Sequence, residues 1–267
     1  MTEKKAIHTV CIPHTVSSLV ADFRELGIKE GMTLIVHTSL SSLGWVCGGA
    51  EAVIQALMEA VGEEGTLVMP AQTAGNSDPS EWMAPPVPES WWPVIREHMP
   101  PFSLETTATR GMGAIAELFR QFPRVVRSNH PMYSFTAWGK NREYVTEHQL
   151  LQAGFGETSP LAKIYELNGK ILFLGVGHES NTSLHLSEHA KKNQVYVTKS
   201  AALLENGERV WKTYNEIDYD SECFEKIGYE FERIENYQTM KIGGAVCKLF
   251  DQRKVVDFGR KWYAEHF

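Results

Sequence analysis

The chain has 267 residues, 43% of them hydrophobic, with 33 acidic against 26 basic side chains and a formal charge of -7. That length accommodates one large α/β domain or two small ones, its apolar fraction supports a sizeable core, and an acidic balance without a basic run argues against nucleic acid or an anionic membrane as partner. Cys11, Cys47, Cys223 and Cys247 form no C-x-x-C pair, which suggests neither a disulfide framework nor a thiol zinc site, and the lack of an apolar run of membrane-spanning length predicts a cytoplasmic protein.

The stretch "TVSSLVADFRELGIKEGM" has apolar residues at helical spacing, a cap at Thr15 or Ser17 and a stop at Gly27, so it predicts the first helix. Leu34-Ile35-Val36 in "TLIVHTSLSSLG" form a short apolar run without alternation, as expected of a strand covered on both faces. "GGAEAVIQALMEAVGEEG" then predicts an amphipathic helix and "TLVMPAQT" a second buried strand, which completes a βαβ unit. From about residue 74 to 109 the chain turns dense in Pro, Trp and Glu, and such a long excursion in a compact domain is expected to line a ligand cleft rather than to link domains. "GMGAIAELFRQF" predicts a helix, "YSFTAW" a strand, "KILFLGVG" a third buried strand, and "NTSLHLSEHAKK" a helix capped by Asn181 or Thr182. Beyond Val195 short strand-like and helical segments alternate. With no repeat or linker, residues 1–267 read as a single layered domain.

Open α/β sheets bind ligands outside the carboxyl ends of their strands, so the turns "HTSLSSLG" and "GHESNTSLH" are the expected site. The first also offers backbone N–H groups and hydroxyls ahead of a helix, though it is neither a Walker A loop nor a G-x-G-x-x-G turn. The second leads into "HLSEH", residues 185–189, which has three readings. As H-x-x-E-H it matches an inverted zinc-peptidase signature; as a bare histidine pair it has no function; as His185 with Glu188 one turn later it is a base with its orienting carboxylate. Lys191 and Lys192 directly after it are unfavourable to a dication, and the strand immediately upstream favours the base-and-carboxylate reading. "RSNHPMYSFTAWG" brings Arg127, Ser128, Asn129 and His130 together as a third candidate lining.

Taken in order, "VHTSLSSLGWVCGGAEAV", "EGTLVMPAQT", "SDPSEW", "TRGMG", "RSNHPMYSFTAWG", "GETSPLAKIYELNGKILFLGVGHESNTSLHLSE" and "ENGERVW" resemble the aminoglycoside 3-N-acetyltransferases across nearly the whole chain. The resemblance implies a layered α/β/α fold around a central mixed, largely parallel sheet, with the Pro/Trp-rich insertion lining the substrate cleft. It implies transfer of acetyl from acetyl-CoA to the 3-amino group of a 2-deoxystreptamine antibiotic, a resistance-type reaction without metal, and it allows a homodimer. His185 then matches the family's base and Glu188 its carboxylate, while His189 has no fixed counterpart. His37, Thr38, Ser39, Leu40, Ser41 and Ser42 correspond to coenzyme A contacts, joined by Arg110, Met112 and Gly113. Relatives with the same wording need not be efficient resistance enzymes, so a different amine, or coenzyme A binding without turnover, stays open as the alternative.

The chemistry fits those residue types. An amine that is protonated at neutral pH must lose a proton before it can attack, and histidine, with an ordinary pKa of about 6.5, suits that task. Glu188 would fix the imidazole tautomer, and the Ser39–Ser42 turn would supply donors to an acyl oxygen. For a cationic substrate, Asp78, Glu81 and Glu157 are the expected carboxylates, with Asn129 and His130 as further substrate contacts and Trp82, Trp91 and Trp92 as walls.

Overall fold

In the computed structural model, which describes residues 6–8, 10 and 12–267, the first long helix, Val16–Glu25, is set by Thr15. The Thr15 hydroxyl accepts from the Ser18 N–H at 3.2 Å and Ser18 Oγ accepts from the Thr15 N–H at 3.0 Å, a reciprocal cap that satisfies two otherwise orphaned donors. Gly27, at φ +108, ends the helix in a conformation that a Cβ would strain. Cys11 lies outside the described residues.

The chain then builds β1 (Thr33–Thr38), β2 (Thr66–Pro70), β3 (Val126–Arg127), β4 (Phe135–Gly139) and β5 (Lys170–Leu174). It continues with β6 (Tyr196–Glu205), β7 (Glu208–Ile217), β8 (Gln238–Ile242) and β9 (Ala245–Asp251). Seven strands form one sheet in the order β3-β4-β2-β1-β5-β9-β8. Its core, β2-β1-β5, is parallel, and every flanking pair is antiparallel, so the sheet is mixed.

Both faces are covered, and the register of β1 shows how. Leu34 and Val36 join Leu67, Met69, Leu172 and Leu174 on the face packed by helices Val16–Glu25, Gly49–Val61 and Gly113–Phe119. Ile35 joins Val68, Ile171 and Phe173 on the other, against helices Pro160–Glu166, Phe224–Glu232 and Gln252–His266. Full burial of each such side chain is worth about 1.5–3 kcal/mol, which accounts for an apolar run with no polar alternation. Among the described residues no helix is long and apolar enough to cross a membrane.

Two stretches differ from their sequence expectation. The segment after Val195 pairs as a long hairpin, β6 with β7, in a sheet of its own. Its turn is Asn206-Gly207, both at positive φ (52° and 83°), the type I′ geometry for which an Asn-Gly pair is selected. The expected helix "NTSLHLSEHAKK" is instead a 3-10 turn, Thr182–Leu184, followed by a single α-turn, His185–Glu188. Neither Asn181 nor Thr182 caps it; the Asn181 amide is turned to His178 Nδ1 at 3.2 Å.

Candidate active site

Parallel pairing of β1 with β5 puts Thr38 beside Leu174, so the two turns singled out by sequence leave the sheet side by side. They are tied together: the Ser39 N–H donates to Leu174 O at 2.9 Å, and Ser42 Oγ donates to Gly175 O at 3.1 Å. Above them lie two cavities that share Thr38, Gly111 and Met112 as a common wall.

The inner cavity, about 320 Å³, is lined by His185 together with His37, Gln72, Glu179, Ser180, Thr182 and Ser221. His185 Nδ1 donates to Glu188 Oε1 at 2.6 Å, which leaves Nε2 as the nitrogen available to the cavity. The Glu188 side chain is fully buried, and its second oxygen accepts from Lys191 Nζ at 2.7 Å and from the Asp220 N–H at 3.1 Å. The imidazole is held by aromatic contacts as well: Phe155 stacks on it at 4.4 Å and 5°, while Phe224 and Tyr219 meet it edge-on at 4.7 and 5.5 Å. A ring so packed keeps one orientation without a second polar partner.

The outer cavity, about 570 Å³, is lined by Thr38, Ser39, Leu40, Ser41, Gly44, Val46, Gly49, Met112 and Gly113. It runs past the start of helix Gly49–Val61, whose first N–H groups have no side-chain cap. Of the expected coenzyme contacts, Thr38 to Ser41, Met112 and Gly113 therefore line one cavity. His37 lies deeper and lines the inner cavity, Ser42 is turned to Gly175, and Arg110 lines a neighbouring cavity with Asn76 and Thr107. Burial, and to a lesser extent the nearby His178, pushes His37 down to about 3, so this ring is neutral at physiological pH. The "TRGMG" loop is fixed by Glu117, which accepts from the Thr109 N–H at 2.8 Å and from its hydroxyl at 2.7 Å. Burial pushes the Glu117 carboxyl up, but Arg120 and Thr109 outweigh it and hold it down at about 2.

The residues expected to hold a cationic substrate are dispersed. Asp78 caps a 3-10 turn and is paired with Arg96 at 2.8 Å; Glu81 is paired with Lys199 at 2.7 Å; Glu157 is paired with Arg260 at 3.0 Å on the surface. Asn129 lines a separate cavity with Phe102 and Gln149. His130 is fully buried, its Nδ1 accepting from the Met132 and Tyr133 N–H groups, and burial pushes it down to about 4. None of the five lines either of these two adjacent cavities, and neither do Trp82, Trp91 and Trp92. The 74–109 segment packs on the hairpin, with Phe102 N–H donating to Ala202 O at 2.9 Å and Arg209 Nε to Met99 O at 2.7 Å, and it lines two further cavities. Glu179 supplies a carboxylate at the inner cavity; it is exposed and accepts from the Gly177 N–H at 2.9 Å.

The two histidines of "HLSEH" have different partners. His189 Nε2 meets the Tyr219 hydroxyl at 3.1 Å, and that hydroxyl also accepts from the Phe155 N–H at 3.3 Å. Burial lowers the His189 pKa. Among the described residues no three His, Cys, Asp or Glu side chains are grouped so as to hold a metal ion.

Comparison with known proteins gives a consistent result. A profile of the aminoglycoside 3-N-acetyltransferase family matches residues 35–264. The chain is 48% identical over 261 residues, covering 97% of itself and 96% of its relative, to the SPbeta prophage-derived aminoglycoside N(3')-acetyltransferase-like protein YokD of Bacillus subtilis. It is 33% identical over 263 residues to aminoglycoside N(3)-acetyltransferase III of Pseudomonas aeruginosa, covering 96% of each. Among solved structures, YokD superposes with a TM-score of 0.96 at 47% identity, covering 98% of this chain and 97% of that one. AAC-IIIb in its binary complex with CoASH gives 0.86 at 30% identity, covering 96% and 98%. AAC-VIa bound to sisomicin gives 0.87 at 29% identity, covering 96% and 99%.

Proposed function

Because the chain belongs to the aminoglycoside 3-N-acetyltransferases, an acyltransferase family, we propose that it transfers an acetyl group from acetyl-CoA to the 3-amino group of a 2-deoxystreptamine aminoglycoside, with His185 as general base. The observation that carries this reading is that His185, paired with Glu188, lines a cavity that shares Thr38, Gly111 and Met112 as a wall with a second, larger one.

The residues of the outer cavity fit coenzyme A. Leu40, Val46 and Met112 offer an apolar wall to a pantetheine arm, and Ser39, Ser41 and the uncapped start of helix Gly49–Val61 offer donors to anionic oxygens. Bound there, the co-substrate supplies an acetyl group already activated as a thioester. Every other element of the reaction falls to the protein. The substrate ammonium gives up two protons on its way to the amide: one passes to water to free the lone pair, and His185 Nε2 takes the other as the nitrogen attacks and delivers it to the departing sulfur. Glu188 Oε1, on the opposite nitrogen, keeps Nδ1 protonated and stabilises the imidazolium. Hydroxyls of the Ser39–Ser41 turn would donate to charge that develops on the acyl oxygen.

Substrate charge has a different counterpart from Asp78, Glu81 and Glu157, whose carboxylates are already neutralised by Arg96, Lys199 and Arg260. Glu179 is the carboxylate at the inner cavity and anchors a second ammonium of the acceptor, with Gln72, Thr182 and Ser221 as neutral partners. Thiol release from acetyl-CoA should be measured against a panel of 2-deoxystreptamine antibiotics and simple amines. The reading expects release with at least one aminoglycoside and its loss in His185→Ala. Release with simple amines alone would replace the acceptor class, and coenzyme binding without release would reduce the protein to a binding domain.

A further inference from the structure

Glu188 has a partner that the base-and-carboxylate reading does not use. The Lys191 ammonium lies 2.7 Å from Glu188 Oε2, opposite the oxygen that holds His185, and is only 13% exposed. Its position is built. The ammonium sits 4.9 Å from the Tyr263 ring centroid and 5.4 Å from that of Phe267, so the end of the C-terminal helix walls it in with two aromatic faces. On a helical turn i and i+3 are neighbours, which lets His185, Glu188 and Lys191 stand in one row at three-residue intervals.

We propose that Lys191 is a positioning residue of the active site: a fixed cation behind Glu188 that keeps the His185–Glu188 pair from holding its proton too tightly. This inference rests on the reading of His185 as general base. A buried carboxylate facing an imidazole favours the protonated pair, and a cation on its far oxygen disfavours it. That holds whichever of the two carries the proton, because a coupled pair titrates as a unit and a neighbouring positive charge lowers the proton affinity of the whole.

The other charged and titratable groups facing this row leave Lys191 as the cation in direct contact with it. Asp220 donates its backbone N–H to Glu188 and brings a further carboxylate. His189 and Tyr219 are engaged with each other, and burial disfavours the charged form of both. Tyr263 and Cys223 are likewise pushed up by burial and so are neutral. Arg260 and Glu157 act on His189 and form an ion pair with each other, and Lys226 lies over the Trp262 ring.

The test compares wild type, Lys191→Met and Lys191→Arg by two measurements: the pH profile of kcat/KM, and a ¹⁵N NMR titration of the His185 ring in the free enzyme. Lys191→Met should raise the midpoint of the acidic limb, and of the ring titration, by about one pH unit. Its rate should fall roughly tenfold at pH values well below the wild-type midpoint and match wild type above about pH 8, and Lys191→Arg should restore the wild-type midpoint. A rate lowered equally at every pH with both midpoints unmoved would overturn the proposal and leave Lys191 a packing residue. A ring titration that moves while the rate profile does not would keep the coupling and overturn His185 as the base instead.

Discussion

Replacing Glu188 by Gln preserves shape and removes one charge from the centre of the site. Three hydrogen bonds converge on that carboxylate: from His185 Nδ1 at 2.6 Å, Lys191 Nζ at 2.7 Å and the Asp220 N–H at 3.1 Å. Removing one partner of a buried ion pair costs about 3–5 kcal/mol. Lys191 retains 13% exposure and can turn toward water, so the expected loss is nearer about 2–3 kcal/mol, or a midpoint of thermal unfolding lower by roughly 5–10 °C in a chain of this size. The effect on rate should be larger. A glutamine leaves the imidazolium without a counter-charge, and its amide can face His185 with an N–H, which favours the wrong tautomer; an orienting carboxylate of this kind is worth about 10²–10⁴ in kcat. Continuous measurement of thiol release, with a thermal melt of the same preparation, separates the two effects. A variant whose unfolding midpoint falls as expected but whose kcat stays within about threefold of wild type would refute an orienting role for Glu188.

Two further outcomes follow from the same geometry. His189→Gln should keep kcat within about threefold and cost about 1 kcal/mol for the lost contact with Tyr219; a loss of activity as complete as that of His185→Ala would revive the paired-histidine reading of "HLSEH". Glu216 is fully buried, and burial pushes its carboxyl up to about 8 from 4.5. The folded state thus holds this proton more tightly than the unfolded chain, so its contribution is complete below pH 4.5 and is lost as pH rises to about 8. Glu216→Gln, which retains an acceptor for the Gly154 N–H, should flatten the decline in melting temperature across that window and melt above wild type at pH 8.5; parallel curves for the two proteins would contradict the assignment.

The apolar runs of β1, β2 and β5 and the amphipathic helix Gly49–Val61 were legible without coordinates, because strands buried on both faces and half-buried helices must carry those periodicities whatever they pack against. So were the two turns at the strand ends, and within them the His185–Glu188 spacing, since an i, i+3 contact is local and needs no tertiary information. The long hairpin was not read from the sequence, although Asn206-Gly207 carries its turn signal among uneven segments.

What surrounds His185 was decided by the tertiary structure alone. Phe155 and Tyr219, which clamp the ring, lie 30 and 34 positions away in irregular segments that carry no periodic signal. The fate of the acidic residues was equally hidden. Asp78, Glu81 and Glu157 have the charge a cationic ligand would need, but Arg96, Lys199 and Arg260 arrive from other parts of the chain to neutralise them. Lys191, which by sequence only argued against a metal, stands behind Glu188 because the C-terminal helix closes over it. Charge and spacing within one turn are written in the sequence, whereas which charges remain free for a ligand depends on long-range pairing, and only the folded chain determines that.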